Sequence, residues 1–307
     1  MSDLSAEFFG KKMKNPLILA SGVLGVTRKS LESVAEKGAG AVTAKSFSLE
    51  ARKGHETPII TETECGLLNA VGYSNPGIDA GLQEFSGWKR NEPLIISLTA
   101  GNENEFAQLA EKVDATKKEV NCSAIELALS CPHTPGFGLM AGQGDAAATE
   151  RITKAVKEVT ALPIIVKLSP SMPGEVQAAK AAEESGAAAI NMGNTLGPGM
   201  RIDIERKKRM LAFGRGGLSG HAIKPIAVRC VYDIYDAVKI PVIGTGGMIN
   251  GVDAIEMMMA GARQVGVGTA VYYKGLDAFS QIENEMNDWL DKHGYKNVKE
   301  IVGVAHE

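Results

Sequence analysis

The sequence predicts an α/β protein built as a (β/α)8 TIM barrel, in which eight parallel strands close into a cylinder surrounded by helices. Eight short apolar runs recur along the chain, and segments of helical periodicity separate them. Several runs are almost continuously apolar, as expected of strands buried on both faces. The length of 307 residues suits one such barrel with insertions. We therefore expect a single domain over residues 1–307.

Each apolar run is a candidate strand. The runs cover residues 16–21, 41–46, 94–99, 124–130, 163–169, 187–194, 241–247 and 264–270. Amphipathic stretches lie between them, and a helix predicted over Glu103–Val120 places Phe106 and Leu109 on one face. Strand and helix alternating eight times imply a closed parallel sheet. An open doubly wound sheet is the alternative, but the count of eight and the absence of an early G-x-G-x-x-G motif argue against it.

Three connections after strands predict long rim loops. Residues 47–76 follow strand two, residues 196–220 follow strand six, and a stretch rich in Pro and Gly follows strand four. Long connections in a compact domain are usually functional. Because all three follow a strand, we expect them at the carboxyl rim, where barrel enzymes place their sites.

Composition excludes several classes of function. The net charge is −3 and the isoelectric point is near 6.0, which gives no basic footprint for nucleic acid. No apolar run reaches the roughly 18 residues that span a membrane. The four cysteines form no C-x-x-C pair and no zinc-type cluster, so we expect no metal and a reduced, cytoplasmic protein. We interpret Cys122 and Cys230 as buried, packed residues.

Polar and glycine-rich residues gather where the strands end. The strand-end motifs are Ala20-Ser21-Gly22, Lys45-Ser46, Ser130-Cys131-Pro132-His133, Lys167-Leu168-Ser169-Pro170, Asn194-Thr195, Gly244-Thr245-Gly246-Gly247 and Gly266-Val267-Gly268-Thr269. The last two lie on adjacent strands. Barrels often bind phosphate there through backbone N–H groups, and glycine allows the close approach. They indicate a cofactor that carries phosphate.

Three side chains are candidates for chemistry. Lys45 and Lys167 follow apolar strand residues, where an unpaired ammonium is costly to bury. Either cation could stabilise negative charge that develops on a bound cofactor, and the alternative for them is a salt bridge to a strand carboxylate such as Glu126. Cys131 lies on the loop after strand four and is interpreted as a base or nucleophile, or alternatively as a packed cysteine.

Taken together, these motifs resemble the class 1 dihydroorotate dehydrogenases, especially the B-type and archaeal members. The likeness extends over nearly the whole chain. Besides the strand ends, it includes Asn15-Pro16, Leu49-Glu50, Gly66-Leu67-Leu68-Asn69-Ala70-Val71-Gly72, Asn75-Pro76-Gly77 and Gly216-Gly217-Leu218-Ser219-Gly220.

The resemblance implies FMN in the barrel mouth and oxidation of dihydroorotate to orotate, in pyrimidine biosynthesis. It implies that Cys131 takes the C5 proton while the C6 hydride passes to the flavin. It assigns substrate binding to Lys45, Asn69, Ala70, Val71, Gly72, Tyr73, Asn194 and Thr195. It assigns FMN binding to Ala20, Ser21, Lys45, Ser46, Lys167, Gly220, Gly246, Gly247, Gly268 and Thr269.

The sequence departs from the family motif Asn-x-Ser-Cys-Pro-Asn at two positions, where it has Ala128 and His133. Ala128 lacks the hydrogen-bonding side chain that normally touches substrate and flavin. Since related dihydropyrimidine dehydrogenases also carry histidine after Cys-Pro, His133 leaves that activity as an alternative. Two further alternatives remain. One is a barrel aldolase that uses Lys167 to form a Schiff base, and the other is a non-catalytic flavin-binding subunit.

The resemblance also bears on partners. The chain has too few grouped cysteines for an iron–sulfur cluster of its own. A partner subunit carrying FAD and an iron–sulfur cluster, or a soluble acceptor such as fumarate, is therefore implied. The family likeness further implies a homodimer or a hetero-oligomer.

Overall fold

The computed structural model describes residues 2–129, 136 and 143–306. The strands are β1 (Ala6–Phe8), β2 (Lys11–Met13), β3 (Leu17–Leu19), β4 (Ala41–Thr43), β5 (Ile60–Thr63), β6 (Gly66–Asn69), β7 (Leu94–Leu98), β8 (Cys122–Ala128), β9 (Ile164–Leu168), β10 (Ala189–Met192), β11 (Leu196–Gly199), β12 (Ile202–Asp203), β13 (Lys208–Arg209), β14 (Gly216–Ser219), β15 (Val242–Thr245) and β16 (Ala262–Val267). The helices are α1 (Arg28–Glu36), α2 (Ile78–Phe85), α3 (Glu103–Val120), α4 (Ala146–Val159), α5 (Glu175–Glu184), α6 (Lys224–Ala237), α7 (Gly251–Met259), α8 (Thr269–Lys274) and α9 (Ala278–His293). None of the helices in these ranges is both long enough and apolar enough to cross a membrane.

The predicted barrel is confirmed. Strands β3, β4, β7, β8, β9, β10, β15 and β16 pair in that order, all parallel, and β16 pairs with β3 to close the cylinder. Each predicted apolar run overlaps one barrel strand. The last run was predicted to reach Ala270, but β16 ends at Val267 and Thr269 already begins α8. Gly268, between the two, turns the chain at the carboxyl rim.

The lower half of the barrel is an apolar core. Inward side chains from seven of the eight barrel strands form one cluster with the β1–β2 hairpin, and its larger members are Phe8, Met13, Ile18, Ile95, Ile165 and Ile243. Burial of each such side chain contributes about 2 kcal/mol. Gln264 of β16 donates to the carbonyl oxygen of Glu7 at 2.8 Å, which pins the hairpin to the barrel. This apolar layer closes the barrel interior beneath the carboxyl end, where the polar strand-end residues lie.

The connections after the second and sixth barrel strands contain a sheet that the sequence did not predict. Strands β5 and β6 come from the first connection and β11 and β14 from the second, and they form an antiparallel sheet in the order β11-β14-β6-β5. Gly66 and Gly216 allow the strands to approach, because a Cβ would lie 2.0 Å from Ser219 O at the first position and 2.3 Å from Asn69 O at the second. Most of the connection after the fourth strand, with Cys131 and His133, lies outside the described residues.

Two of the cysteines belong to the packed interior, as predicted. Cys122 at the start of β8 and Cys230 in α6 are buried, whereas Cys65 is exposed in the turn between β5 and β6. Burial raises the pKa of both the Cys122 and the Cys230 thiols to about 12. Neither thiol can therefore act as a base near neutral pH.

The raised pKa of Cys122 predicts a loss of stability in alkali. Above the ordinary thiol pKa of 9.0 the unfolded chain releases this proton while the folded chain retains it, so stability is fully present below pH 9 and falls as the pH rises toward 12. The slope for one thiol is at most about 1.4 kcal/mol per pH unit. Urea unfolding at pH values on both sides of 9 should show a shallower decline for Cys122→Ala than for the wild type. Identical slopes in the two proteins would contradict the prediction.

Candidate functional site

A cavity opens at the carboxyl ends of the barrel strands and has two adjoining lobes. The large lobe, about 430 Å³, is lined by strand ends and by the loops after β3, β10, β15 and β16. The small lobe, about 90 Å³, lies against β8 and the connections after β4 and β6. Ser21, Asn69, Lys167, Asn194 and Thr195 line both lobes. The two lobes therefore form one site.

Nearly all the described residues predicted for the site line this cavity. The large lobe has Ala20, Ser21, Asn69, Val71, Lys167, Asn194, Thr195, Gly220, Gly246, Gly247, Gly268 and Thr269. The small lobe adds Lys45, Ser46, Gly72, Tyr73 and Ala128. Ala70 is the exception: it lines neither lobe and is buried in a cluster with Leu68 and Leu211. Cys131 lies outside the described residues, so its placement stays a prediction.

One end of the large lobe is walled by backbone rather than by side chains. Gly220 and Gly247 have φ angles of 89° and 79°, in the left-handed region that favours glycine. A Cβ on Gly247 would lie 2.6 Å from the backbone nitrogen of Lys224, and one on Gly220 would lie 2.8 Å from the Cα of Gly66. A Cβ on Gly268, by contrast, would have no neighbouring atom nearer than 3.7 Å. Such a cradle suits a phosphate group held by backbone N–H groups.

Beneath the cavity lies a buried polar network centred on Glu126, whose side chain is 2% exposed. Ser21 and Ser97 each donate a hydroxyl hydrogen bond to Oε1 of Glu126 at 2.9 Å. Asn191 donates from Nδ2 to Oε2 at 2.7 Å, and the hydroxyl of Thr245 donates to Oδ1 of Asn191 at 2.8 Å. The hydroxyl of Ser97 also lies 2.9 Å from that of Ser46, so the network joins six positions around the barrel, and each oxygen of the carboxylate is satisfied.

Lys167 connects this network to the cavity. Its side chain is buried, its Nζ donates to Ser21 Oγ at 2.9 Å, and the same Nζ lies 3.8 Å from Oε1 of Glu126. The ion pair with Glu126 that the sequence offered as one interpretation is therefore confirmed, and the same lysine lines the cavity, while its role toward a flavin stays a prediction. A buried pair with further hydrogen bonds explains how the strand tolerates an ammonium at this depth.

The other side of the site presents amide and hydroxyl groups from the rim sheet and from the end of β10. Asn69 donates from Nδ2 to the carbonyl oxygen of Gly217 at 3.3 Å, and the backbone N–H of Thr195 donates to Oδ1 of Asn194. The buried hydroxyl of Thr195 finds no hydrogen-bond partner within the described ranges. This oxygen is buried against Gly217 of the rim sheet, so it is not open to the cavity.

Sequence reasoning missed three members of the site. Glu126 was considered only as a partner for Lys167, and Ser97 and Asn191 were read as ordinary strand residues. Their signal was a polar side chain inside an otherwise apolar buried strand, each pointing into the barrel at the layer below the cavity.

Comparison with known proteins decides the family. The family model for dihydroorotate dehydrogenase matches residues 3–290. The chain belongs to the dihydroorotate dehydrogenase family. Among curated relatives, the "Dihydroorotate dehydrogenase B (NAD(+)), catalytic subunit" of Pyrococcus furiosus is 43% identical over 304 residues, covering 99% of each chain. The protein of the same name from Methanosarcina mazei is 45% identical, over 97% of this chain and 94% of its own.

A solved structure supports the fold. The dihydroorotate dehydrogenase of Eimeria tenella, crystallised with ferulenol, superposes with a TM-score of 0.84 over 99% of this chain and 89% of its own. The identity is 20%, so this likeness bears on the barrel architecture alone. Membership of the dihydroorotate dehydrogenase family identifies the protein as an oxidoreductase, in preference to the aldolase alternative.

The glycine cradle predicts different effects for two alanine substitutions. Gly247→Ala places a Cβ against the backbone of Lys224 at a positive φ, so we expect it to lower the free energy of unfolding by about 1–3 kcal/mol. Gly268→Ala has room for its methyl group and should leave stability within about 0.5 kcal/mol of the wild type. Urea unfolding without added ligand measures both. Equal stability of the two variants would show that the backbone of this loop is not constrained as described.

Proposed function

We propose that this protein is the catalytic subunit that oxidises dihydroorotate to orotate in de novo pyrimidine biosynthesis, using FMN. The observation that carries the proposal is the two-lobed cavity. Its glycine-walled large lobe is suited to a phosphate-bearing flavin, and its small lobe combines Lys45, Asn69 and Asn194 around a space for a small polar ring. The family is flavin-dependent, and relatives of similar length are named for this reaction.

FMN would occupy the large lobe. The residues that would hold it are Ala20, Ser21, Lys45, Ser46, Lys167, Gly220, Gly246, Gly247, Gly268 and Thr269. FMN supplies the hydride acceptor for the C6 hydrogen of the substrate. Lys167 places a fixed cation in the wall of the cavity, where it stabilises negative charge that develops on reduction. We further propose that residues 1–307 act as one FMN-binding domain.

The pyrimidine would lie in the small lobe, held by Lys45, Asn69, Asn194 and Thr195. Lys45 is complementary in charge to the carboxylate of dihydroorotate. Cys131 would be the general base that removes the C5 proton. With the base on one face of the substrate ring and the hydride acceptor on the other, both reacting groups are already held next to the atoms that they act on.

A partner subunit would take the electrons onward. The relatives are named as catalytic subunits of an NAD(+)-dependent enzyme, and this chain carries no grouped cysteines for a cluster of its own. We propose a subunit carrying FAD and an iron–sulfur cluster as that partner.

The decisive experiment is reduction of the bound flavin by the substrate. The purified protein should be yellow, and anaerobic dihydroorotate should bleach the flavin absorbance, because the C6 hydride reduces the ring. Dihydrouracil is the comparison, because it lacks the carboxylate that pairs with Lys45. Bleaching by dihydrouracil alone would favour the dihydropyrimidine dehydrogenase alternative, and bleaching by neither would support a non-catalytic flavin-binding subunit.

Replacing the proposed base should slow flavin reduction but should leave the binding of FMN and substrate intact. Cys131→Ala should lower the rate of flavin reduction by dihydroorotate by about 10²–10⁴-fold, as is typical for loss of a general base. Stopped-flow absorbance measures this rate. Cys65→Ala is the matched control, since Cys65 is exposed in the β5–β6 turn. A Cys131→Ala variant as fast as this control would remove Cys131 from the mechanism.

The side chain at position 128 should also affect the rate of flavin reduction by dihydroorotate. Ala128 lines the small lobe with Lys45 and Asn194, and it offers no hydrogen bond to a ligand. Ala128→Asn should speed flavin reduction by dihydroorotate, because it adds a donor and an acceptor beside the substrate. Ala128→Val, of comparable size but without polar atoms, serves as the control. If both variants slow the reaction equally, the lobe has no space for a longer side chain at this position.

A further inference from the structure

Glu126 stands apart from the residues that line the cavity. It is one of two buried carboxylates in the described part of the chain, and the other, Asp253, pairs with Lys224 on the outer helices. On β8, Glu126 lies two residues before Ala128, on the same inward face and one layer beneath the small lobe. It does not line the cavity itself, but it contacts two residues that do, Ser21 and Lys167.

The hydrogen bonds around Glu126 have a fixed direction. The Ser21 hydroxyl has one hydrogen, which it donates to Glu126, so its oxygen is left to accept from Lys167. The result is an ordered chain from the ammonium through the hydroxyl to the carboxylate. Ser97 and Asn191 donate to the same carboxylate, and neither brings a charge. Within the network shown here, Lys167 is the cation that faces this anion.

We infer that Glu126 is a positioning residue that holds Lys167 at the cavity wall and offsets part of its charge, and that it thereby sets the redox potential of the bound flavin. The inference rests on the proposed flavin site. A carboxylate this close to the lysine reduces the positive field that the cavity presents, in surroundings of low dielectric. Because the reduced flavin is anionic, Lys167 raises the redox potential of the flavin. The negative charge of Glu126 reduces that effect and keeps the potential lower.

The test is a redox titration of the FMN-loaded protein with a chemical reductant. Glu126→Gln retains the shape of the side chain and removes its charge. We expect the affinity for reduced FMN to rise about tenfold relative to that for oxidised FMN, which corresponds to a potential about 30 mV more positive. Glu126→Asp, which restores the charge, should return the potential toward the wild-type value.

Two further variants distinguish an effect of the Glu126 charge on the redox potential from an effect of disturbed structure. Ser97→Ala leaves the carboxylate charged but removes one of its donors, so the potential should move in the opposite direction, to more negative values. This variant also keeps the inference testable if Glu126→Gln does not fold. Asp253→Asn removes the other buried carboxylate and should leave the potential unchanged, whatever it does to stability.

The outcomes distinguish this inference from the proposed function. If Glu126→Gln and Ser97→Ala lower FMN affinity equally in both redox states and leave the potential unmoved, Glu126 has only a structural role and the inference fails. Because the reductant is not dihydroorotate, that result leaves the substrate assignment standing. A wild-type protein that binds no FMN would instead overturn the proposed function itself.

Discussion

The site depends on keeping an ammonium and a carboxylate inside a closed barrel. Lys167 and Glu126 lie inside the barrel on β9 and β8, where both side chains are buried, and an isolated charge at either position would be strongly destabilising. The ion pair is tolerated because Ser21, Ser97 and Asn191 satisfy the remaining lone pairs. The same hydrogen bonds fix several barrel strands at one level, so the floor of the cavity is rigid before any ligand arrives.

The rim sheet supplies the other half of the site. A barrel alone presents only strand ends, but strands β5 and β6 pair through β14 with β11, so two distant connections become a single wall. Asn69 faces Gly217 in that pairing, and the Thr195 side chain takes the space where a Cβ of Gly217 would be. Glycine at position 217 therefore decides where two proposed substrate contacts lie.

The barrel could be predicted from sequence because its strands are buried on both faces and read as continuous apolar runs. The rim sheet could not, since strands such as Gly216–Ser219 are half glycine and show no alternating pattern. The cavity residues were predicted from motifs at strand ends and from the family resemblance, and among the described residues the structure brings them together except for Ala70, while Cys131 stays a prediction. The pairing of Lys167 with Glu126 was among the interpretations made from the sequence, but the contacts of Glu126 with Ser97 and Asn191 were not, because the pattern of a single strand does not reveal which polar side chains meet across a barrel.

The barrel constrains function much less than its lining does. A dihydroorotate dehydrogenase only 20% identical to this chain shares the architecture with a TM-score of 0.84, so most surface and core positions tolerate replacement. What cannot vary freely is the layer where apolar packing gives way to charge. In that layer, the loss of one hydrogen bond changes the electrostatic potential in the cavity, because charges are only weakly screened where the dielectric constant is low. Chemical selectivity is therefore expected to depend on positions such as Ala128, where a single side chain separates the buried network from the ligand.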